Sequence, residues 1–274
     1  MTARLHTETV SHGAAAAPAP GKWLLLTHGF LGSGGNWRGI ARKLVDRRPD
    51  WGVVLVDLRQ HGRSEPGDDP PTLDACARDL LPLWKEFAIA AIAGHSFGGK
   101  VVLATRALAP ASLRQTWMLD ASPSAHPDLR RNPANTVVRV LGELDRLPKS
   151  WPKREAFVAA IVAAGFEQGF AQWLAMNVVA QPGGDYALRL DLAAMHAMLD
   201  DYYARDLWSV LRAPAPGEIE IAIASRGSAL SADDQLQLEG APPHVHAHRI
   251  TSGHWLNLDA PEAVVALFTE LLPR

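Results

Sequence analysis

The chain has 274 residues, 47% hydrophobic and 20% charged, enough to bury a sizeable core in one α/β domain. Its 27 Lys and Arg against 29 Asp and Glu leave a formal net charge of −2, which gives no bulk electrostatic case for nucleic acid or an anionic membrane. The one cysteine, Cys76, excludes an internal disulfide; in its helix-like run it reads as a small core residue, not a nucleophile.

Residues 1–12 are polar and mixed in charge, without the apolar stretch of a secretory leader, and no apolar run approaches a membrane span. A soluble cytoplasmic protein is expected. Arg4 to Val10 alternates loosely and suggests an edge strand, followed by a low-complexity connection from Ala14 to Pro20. Trp23 to Thr27 has the length of a buried strand and ends in His28-Gly29-Phe30-Leu31-Gly32. A helix-like run from Trp37 to Arg47 follows, then a strand from Val53 to Val56 that ends at the segment Asp57 to Ser64. Thr72 opens a helix whose apolar positions, among them Leu73, Cys76, Leu80 and Trp84, suit the 3.6-residue period. Phe87 to Ala93 is another apolar run. It meets Gly94-His95-Ser96-Phe97-Gly98-Gly99, with a helix-like run from Lys100 to Leu108 behind it. The next strand, Gln115 to Leu119, ends in Asp120-Ala121-Ser122-Pro123.

Strands alternating with helices predict βαβ units and a mostly parallel sheet flanked by helices. Segments 28–32, 57–64, 94–99 and 120–123 would then all fall at carboxyl ends of strands, where such sheets bind ligands. From Ser124 to Leu211 no strand candidate appears. Helical runs at 135–147, 152–164, 167–179 and 188–207 predict an all-helical lid. Residues 1–123 and 212–274 would form the core domain, and 124–211 the inserted lid, most of whose aromatic residues pack its own interior. The sheet pattern resumes at Glu218 to Ala224 and His246 to Ile250. A last helix spans Pro261 to Leu272, with Asp259 as N-cap and Pro261 at N1.

The string Gly94-His95-Ser96-Phe97-Gly98 is G-x-S-x-G in a strand–turn–helix context, which marks Ser96 as a nucleophile on a sharp turn. A serine needs a base to take its proton. His254, after the last strand and before the last helix, falls at the same sheet edge. His126 is placed next best and reads as a residue of the lid hinge. His244, His246 and His248 alternate along a strand, but no partner carboxylate is evident, so no metal is expected. The glycines from Gly29 to Gly35 lack G-x-G-x-x-G in register, so no nucleotide cofactor is expected either. For the acid, the turn Ser225 to Ser231 holds no carboxylate; Asp120, Asp233 and Asp234 are the candidates.

His28-Gly29-Phe30, Asp57 to Ser64, Gly94 to Gly99 and Gly253-His254-Trp255-Leu256 together resemble the α/β-hydrolase superfamily, and within it the small lidded esterases of the ABHD11/YbfF type. The resemblance runs from about residue 22 to the end. It implies an α/β-hydrolase fold and a Ser96–His254–Asp120 triad, since those esterases take the acid from an Asp-x-Ala-Pro-like string after this strand. Backbone N–H groups of Phe30 and Phe97 would form the oxyanion hole. Phe30, Leu31, His95, Trp173 and Trp255 are the expected substrate-binding residues. The expected partner is a small-molecule acyl ester or thioester; oligomeric state is not indicated. His28 and the Asp57 to Ser64 segment are expected to be structural, with Arg63 pairing a buried carboxylate near the lid. A cofactor-free lyase or C–C bond hydrolase, and a ligand sensor keeping the triad, are the alternatives.

Overall fold

The computed structural model describes residues 2–13, 20–215 and 217–274; residues 14–19 of the expected low-complexity connection lie outside the described residues. Along the chain, β1 (Thr7–Val10) and β2 (Lys22–Thr27) precede α1 (Arg38–Arg47) and β3 (Trp51–Val56). Then come α2 (Leu73–Leu80), β4 (Ile89–His95), α3 (Phe97–Arg106) and β5 (Gln115–Leu119). The insertion after β5 holds α4 (Pro127–Arg131), α5 (Thr136–Arg146), β6 (Ser150–Trp151), α6 (Arg154–Ala163) and α7 (Gln168–Leu174). It continues with β7 (Val178–Ala180), β8 (Tyr186–Leu188), α8 (Leu192–Ala204) and α9 (Trp208–Arg212). The chain ends with β9 (Glu218–Ala224), α10 (Ala232–Glu239), β10 (Val245–Ile250), α11 (Leu256–Asp259) and α12 (Pro261–Leu271).

The main sheet has seven strands in the order β1-β3-β2-β4-β5-β9-β10. β1 lies antiparallel at one edge, and the other six strands run parallel. Burial on both faces explains why β2, β3 and β4 read as continuous apolar runs and not as alternation. Leu24 and Leu26 pack under Ile40 and Leu44 of α1 and Phe268 of α12. Leu25, between them, faces the opposite layer with Val101 and Val102 of α3. Cys76 is free and buried in that second layer, as expected. Thr72 caps α2, its hydroxyl accepting the Ala75 N–H at 3.2 Å.

Two expectations fail here. The insertion is not all helical: β6, β8 and β7 form a small antiparallel sheet, closed by a turn in which Gln181 donates to the Asp185 carbonyl at 2.7 Å. Its strands are two or three residues long, too short to show a period of two, so 167–179 and 188–207 read as unbroken helices. In fact α7 stops at Leu174, and α8 starts only after Asp191, whose side chain caps it. Asp259 does not cap α12 either. It ends the short helix α11, and Ala260 occupies the cap without a side-chain bond.

Candidate active site

β4 ends at His95 and α3 begins at Phe97, so Ser96 alone makes the turn, at φ 51° and ψ −113°. A non-glycine residue there is strained by about 1–3 kcal/mol, tolerated only where the surroundings fix the backbone. The Ser96 N–H donates to the Leu119 carbonyl at 3.0 Å, and the Ser96 carbonyl accepts from Gly99 at 2.9 Å. The flanking glycines permit close approach: a Cβ on Gly94 would lie 2.1 Å from the Gly98 carbonyl oxygen. Phe97, as first residue of α3, has an N–H with no intrahelical acceptor. Tyr202, on α8, lines the same cavity as Ser96.

Asp120 follows β5 in a left-handed conformation, φ 47°, and is fully buried. Its carboxylate accepts the Ala224 N–H at 2.9 Å, the Ser228 hydroxyl at 2.5 Å, the Ala229 N–H at 3.0 Å and the His254 Nδ1–H at 2.6 Å. Burial pushes its pKa up, but hydrogen bonds from His254, Ser228 and Ala224 outweigh that and hold the carboxyl below its ordinary range. The turn that carries no acid therefore supplies donors to one on the neighbouring strand. Ser228 was invisible in the sequence, because nothing local to residues 225–231 shows that they close over Asp120.

His254 sits between β10 and α11. With Nδ1 taken by Asp120, Nε2 is the nitrogen left for chemistry. His95 lies beneath it, ring centroids 4.7 Å apart, and donates from Nε2–H to the His254 carbonyl at 2.8 Å. His95 is 2% exposed, and burial lowers its pKa to about 3, so it is a neutral support for the His254 loop.

The Phe30 loop is held by two more buried imidazoles. His28 Nε2 accepts the Leu58 N–H at 3.0 Å, and His61 Nε2 accepts the Leu31 N–H at 3.1 Å. Each ring donates from Nδ1–H to a carbonyl, of Gly29 and Arg59 respectively. Burial lowers His28 to about 4 and His61 to about 3, consistent with neutral rings that accept at Nε2. The buried ion pair in this region is made by Arg59 with Asp79, at 2.6 and 2.9 Å, and not by Arg63. Arg63 is exposed and makes no ion pair among the described residues. Left-handed turns at Gln60 and Gly62 separate the two arginines.

Between these groups and the insertion lies a cavity of about 410 Å³. Ser96, His254, Phe30, Leu31, Trp255 and Ser228 line it from the core side; Val140, Phe170, Trp173, Leu199 and Tyr202 line it from the insertion. Trp173 and Trp255 meet edge to face at 5.1 Å. No lysine or arginine faces it among the described residues. Residues 24–267 match the family model described as "Alpha/beta hydrolase family". The chain belongs to that family. This hydrolase is 28% identical over 245 residues to a Xenopus tropicalis protein named sn-1-specific diacylglycerol lipase ABHD11, covering 88% of this chain and 75% of that protein. It is also 28% identical to esterase YbfF of Escherichia coli (strain K12), covering 88% of this chain and 89% of that protein. A solved structure, a marine microorganism esterase, superposes with a TM-score of 0.83 at 21% identity, covering 99% of this chain and 100% of that one.

Other predicted groups of the hydrolase lie elsewhere. Asp233 is exposed, whereas Asp234 is buried and accepts from Ser122 at 2.8 Å, from Ser124, and from the Ser231 N–H at 2.9 Å. That ties α10 to the start of the insertion and leaves no route to His254. His126 lies in the same cluster, 3.0 Å from the Ser122 hydroxyl. His246 and His248 do have carboxylate partners, Glu218 at 3.0 Å and Glu220 at 2.6 Å, which come from the adjacent strand β9. Among the described residues, no three His, Cys, Asp or Glu side chains are grouped to hold a metal, and no helix is long and apolar enough to cross a membrane.

Proposed function

We propose that the protein is a serine carboxylesterase or thioesterase, with Ser96 as nucleophile, His254 as base and Asp120 as the acid that orients it. The observation that carries this reading is the 2.6 Å His254–Asp120 bond at the edge of the cavity that also exposes Ser96 on its strained turn. The Ser96 oxygen and His254 Nε2 form the reacting pair. His254 takes the proton as the oxygen attacks the acyl carbonyl. The Phe97 and Phe30 N–H groups hold the developing oxyanion. His254 then protonates the leaving alcohol or thiol, and water, activated by the same imidazole, releases the acid.

Residues 124–211 act as a cap that closes an acyl pocket of mainly aromatic and aliphatic wall. A lyase or C–C hydrolase would need polar or cationic groups round the reacting centre; the absence of lysine and arginine among the described lining residues favours acyl transfer. Small to medium acyl chains suit a cavity of about 410 Å³. The deciding test is hydrolysis of p-nitrophenyl butyrate with labelling by a fluorophosphonate. Wild type turns over and is labelled at Ser96; Ser96→Ala does neither. Equal turnover by both proteins overturns the assignment.

A further inference from the structure

A second cavity, of about 240 Å³, adjoins the first and shares two wall residues with it, Leu31 and Trp173. Its character is opposite. Three guanidinium groups line it, those of Arg38, Arg63 and Arg189, against the carboxylates of Glu8 and Asp57. Glu8 is spent on Arg38, which it binds through both oxygens, at 2.7 and 2.5 Å. Asp57 is occupied by backbone donors, accepting from Gly34 at 2.7 Å and from Arg63 at 2.9 Å. Arg63 and Arg189 have no carboxylate bonded to their side chains among the described residues; Arg189 donates to the Gly62 carbonyl. Burial acts most strongly to push protons off Arg189, the Asp57 charge opposes it, and the charges of Arg63 and Arg154 add to it. Three arginines against two carboxylates leave this open cavity with a net positive charge, and the exposed side chains of Arg63 and Arg189 keep donors that an anion would engage.

We propose that Arg63 and Arg189 bind an anionic group, a phosphate or carboxylate, carried on the alcohol or thiol part of the substrate. The division of labour follows from the two linings. The apolar cavity without lysine or arginine takes the acyl chain, so the polar leaving group passes the Leu31–Trp173 rim into the cationic one. Arg63 comes from the core and Arg189 from the insertion, so one anion bridging both also draws the two parts together. The assignment of the anion to the substrate rests on the serine-hydrolase reading.

Two measurements separate the site from that reading. In the first, kcat/KM is compared for two butyrate esters alike except that one leaving group carries a carboxylate and the other its methyl ester. Wild type favours the charged ester by about tenfold, mainly through KM, and 0.5 M NaCl erodes the preference. Arg63→Gln lowers the ratio, and Arg63→Gln with Arg189→Gln brings it near one. The ratio is internal to each protein, so loss of folded enzyme cancels. A wild-type ratio near one, or one that survives the double substitution, overturns the proposal. In the second, inorganic phosphate is titrated calorimetrically into Ser96→Ala protein, with no turnover required. Binding that disappears on adding Arg63→Gln and Arg189→Gln supports the site even if no ester is hydrolysed. Absence of binding, or binding that survives, overturns the site and leaves the hydrolase reading standing. Phosphate binding lost in the double variant, with an ester ratio near one throughout, overturns the substrate-borne assignment in favour of a free anion.

Discussion

Asp120 and His254, 134 positions apart, meet through a 2.6 Å hydrogen bond whose acceptor is fully buried. The carboxylate fixes the imidazole with its proton on Nδ1 and leaves Nε2 able to accept. Asp120→Asn keeps the shape but offers an amide N–H, which stabilises the opposite tautomer. The expected loss in kcat is roughly 10³–10⁴-fold with little change in KM. Ser228→Ala removes one of four donors and leaves the N–H groups of Ala224 and Ala229 in place, so a loss of only about tenfold is expected. Steady-state rates on p-nitrophenyl butyrate check both. Asp120→Asn retaining more than a tenth of wild-type kcat contradicts the assignment, most plainly if Asp234→Asn is the inactive variant.

Much of this was legible in the chain. β2 to β5 are buried on both faces and so read as apolar runs, and Gly94 to Gly98 marked the turn at Ser96. Asp120 was one carboxylate among three, because its partners Ala224, Ser228 and His254 lie more than a hundred positions away and only the pairing of β5 with β9 brings them near. Arg59 and Arg63 differ by one short loop, and the left-handed residues Gln60 and Gly62 decide which turns inward. Composition cannot encode that. The small sheet of the insertion was hidden because a strand such as Ser150–Trp151 is shorter than one full alternation.

Tyr202 offers a second test. Its ring packs on Phe97 at 5.7 Å and beneath the Lys100 ammonium at 4.7 Å, so Tyr202→Phe leaves the packing intact. Burial keeps the phenol neutral throughout the assay range. The phenol lines the cavity beside Ser96 but is part neither of the proposed triad nor of the proposed oxyanion hole. Tyr202→Phe is therefore expected to change acylation by less than about threefold in stopped-flow burst kinetics. A fall of tenfold or more would instead mean that the phenol assists the reaction.

The buried imidazoles set the response to acid. His28 lies at about 4, and His61 and His95 at about 3, all lowered first by burial, against about 6.5 in an unfolded chain. Below pH 6.5 the unfolded chain binds protons that the native one refuses, so stability is full above that pH and falls as the pH drops toward 4. Each ring contributes a slope of up to about 1.4 kcal/mol per pH unit, and three together about 4. Asp120, held below the ordinary carboxylate range, adds to the loss only at lower pH. Urea midpoints at pH 7.5, 6.0 and 5.0 are expected to drop steeply. His28→Gln, already unable to titrate, flattens the slope by about a third. Midpoints that stay level from pH 7.5 to 5.0 contradict the account.

Lys100, one turn after Ser96, is 1% exposed and donates to the carbonyls of Ser124, Tyr202 and Arg205 at 2.7, 2.8 and 2.7 Å. Those acceptors come from the start of the insertion and from the end of α8, so one ammonium on α3 gathers both ends of the insertion. Lys100→Met fills similar space but leaves three partly buried carbonyl acceptors without their donor, at about 1 kcal/mol each. The expected loss is about 3 kcal/mol, or a melting temperature lower by roughly 6–12 °C for a chain of this size. The insertion should loosen before the sheet unfolds. Limited trypsin digestion is expected to cut first at Arg130, Arg131 or Arg205, flanking the released carbonyls, while α3 and β4 stay protected. A melting temperature within 2 °C of wild type, with an unchanged digestion pattern, would show that this ammonium does not fasten the insertion to the core.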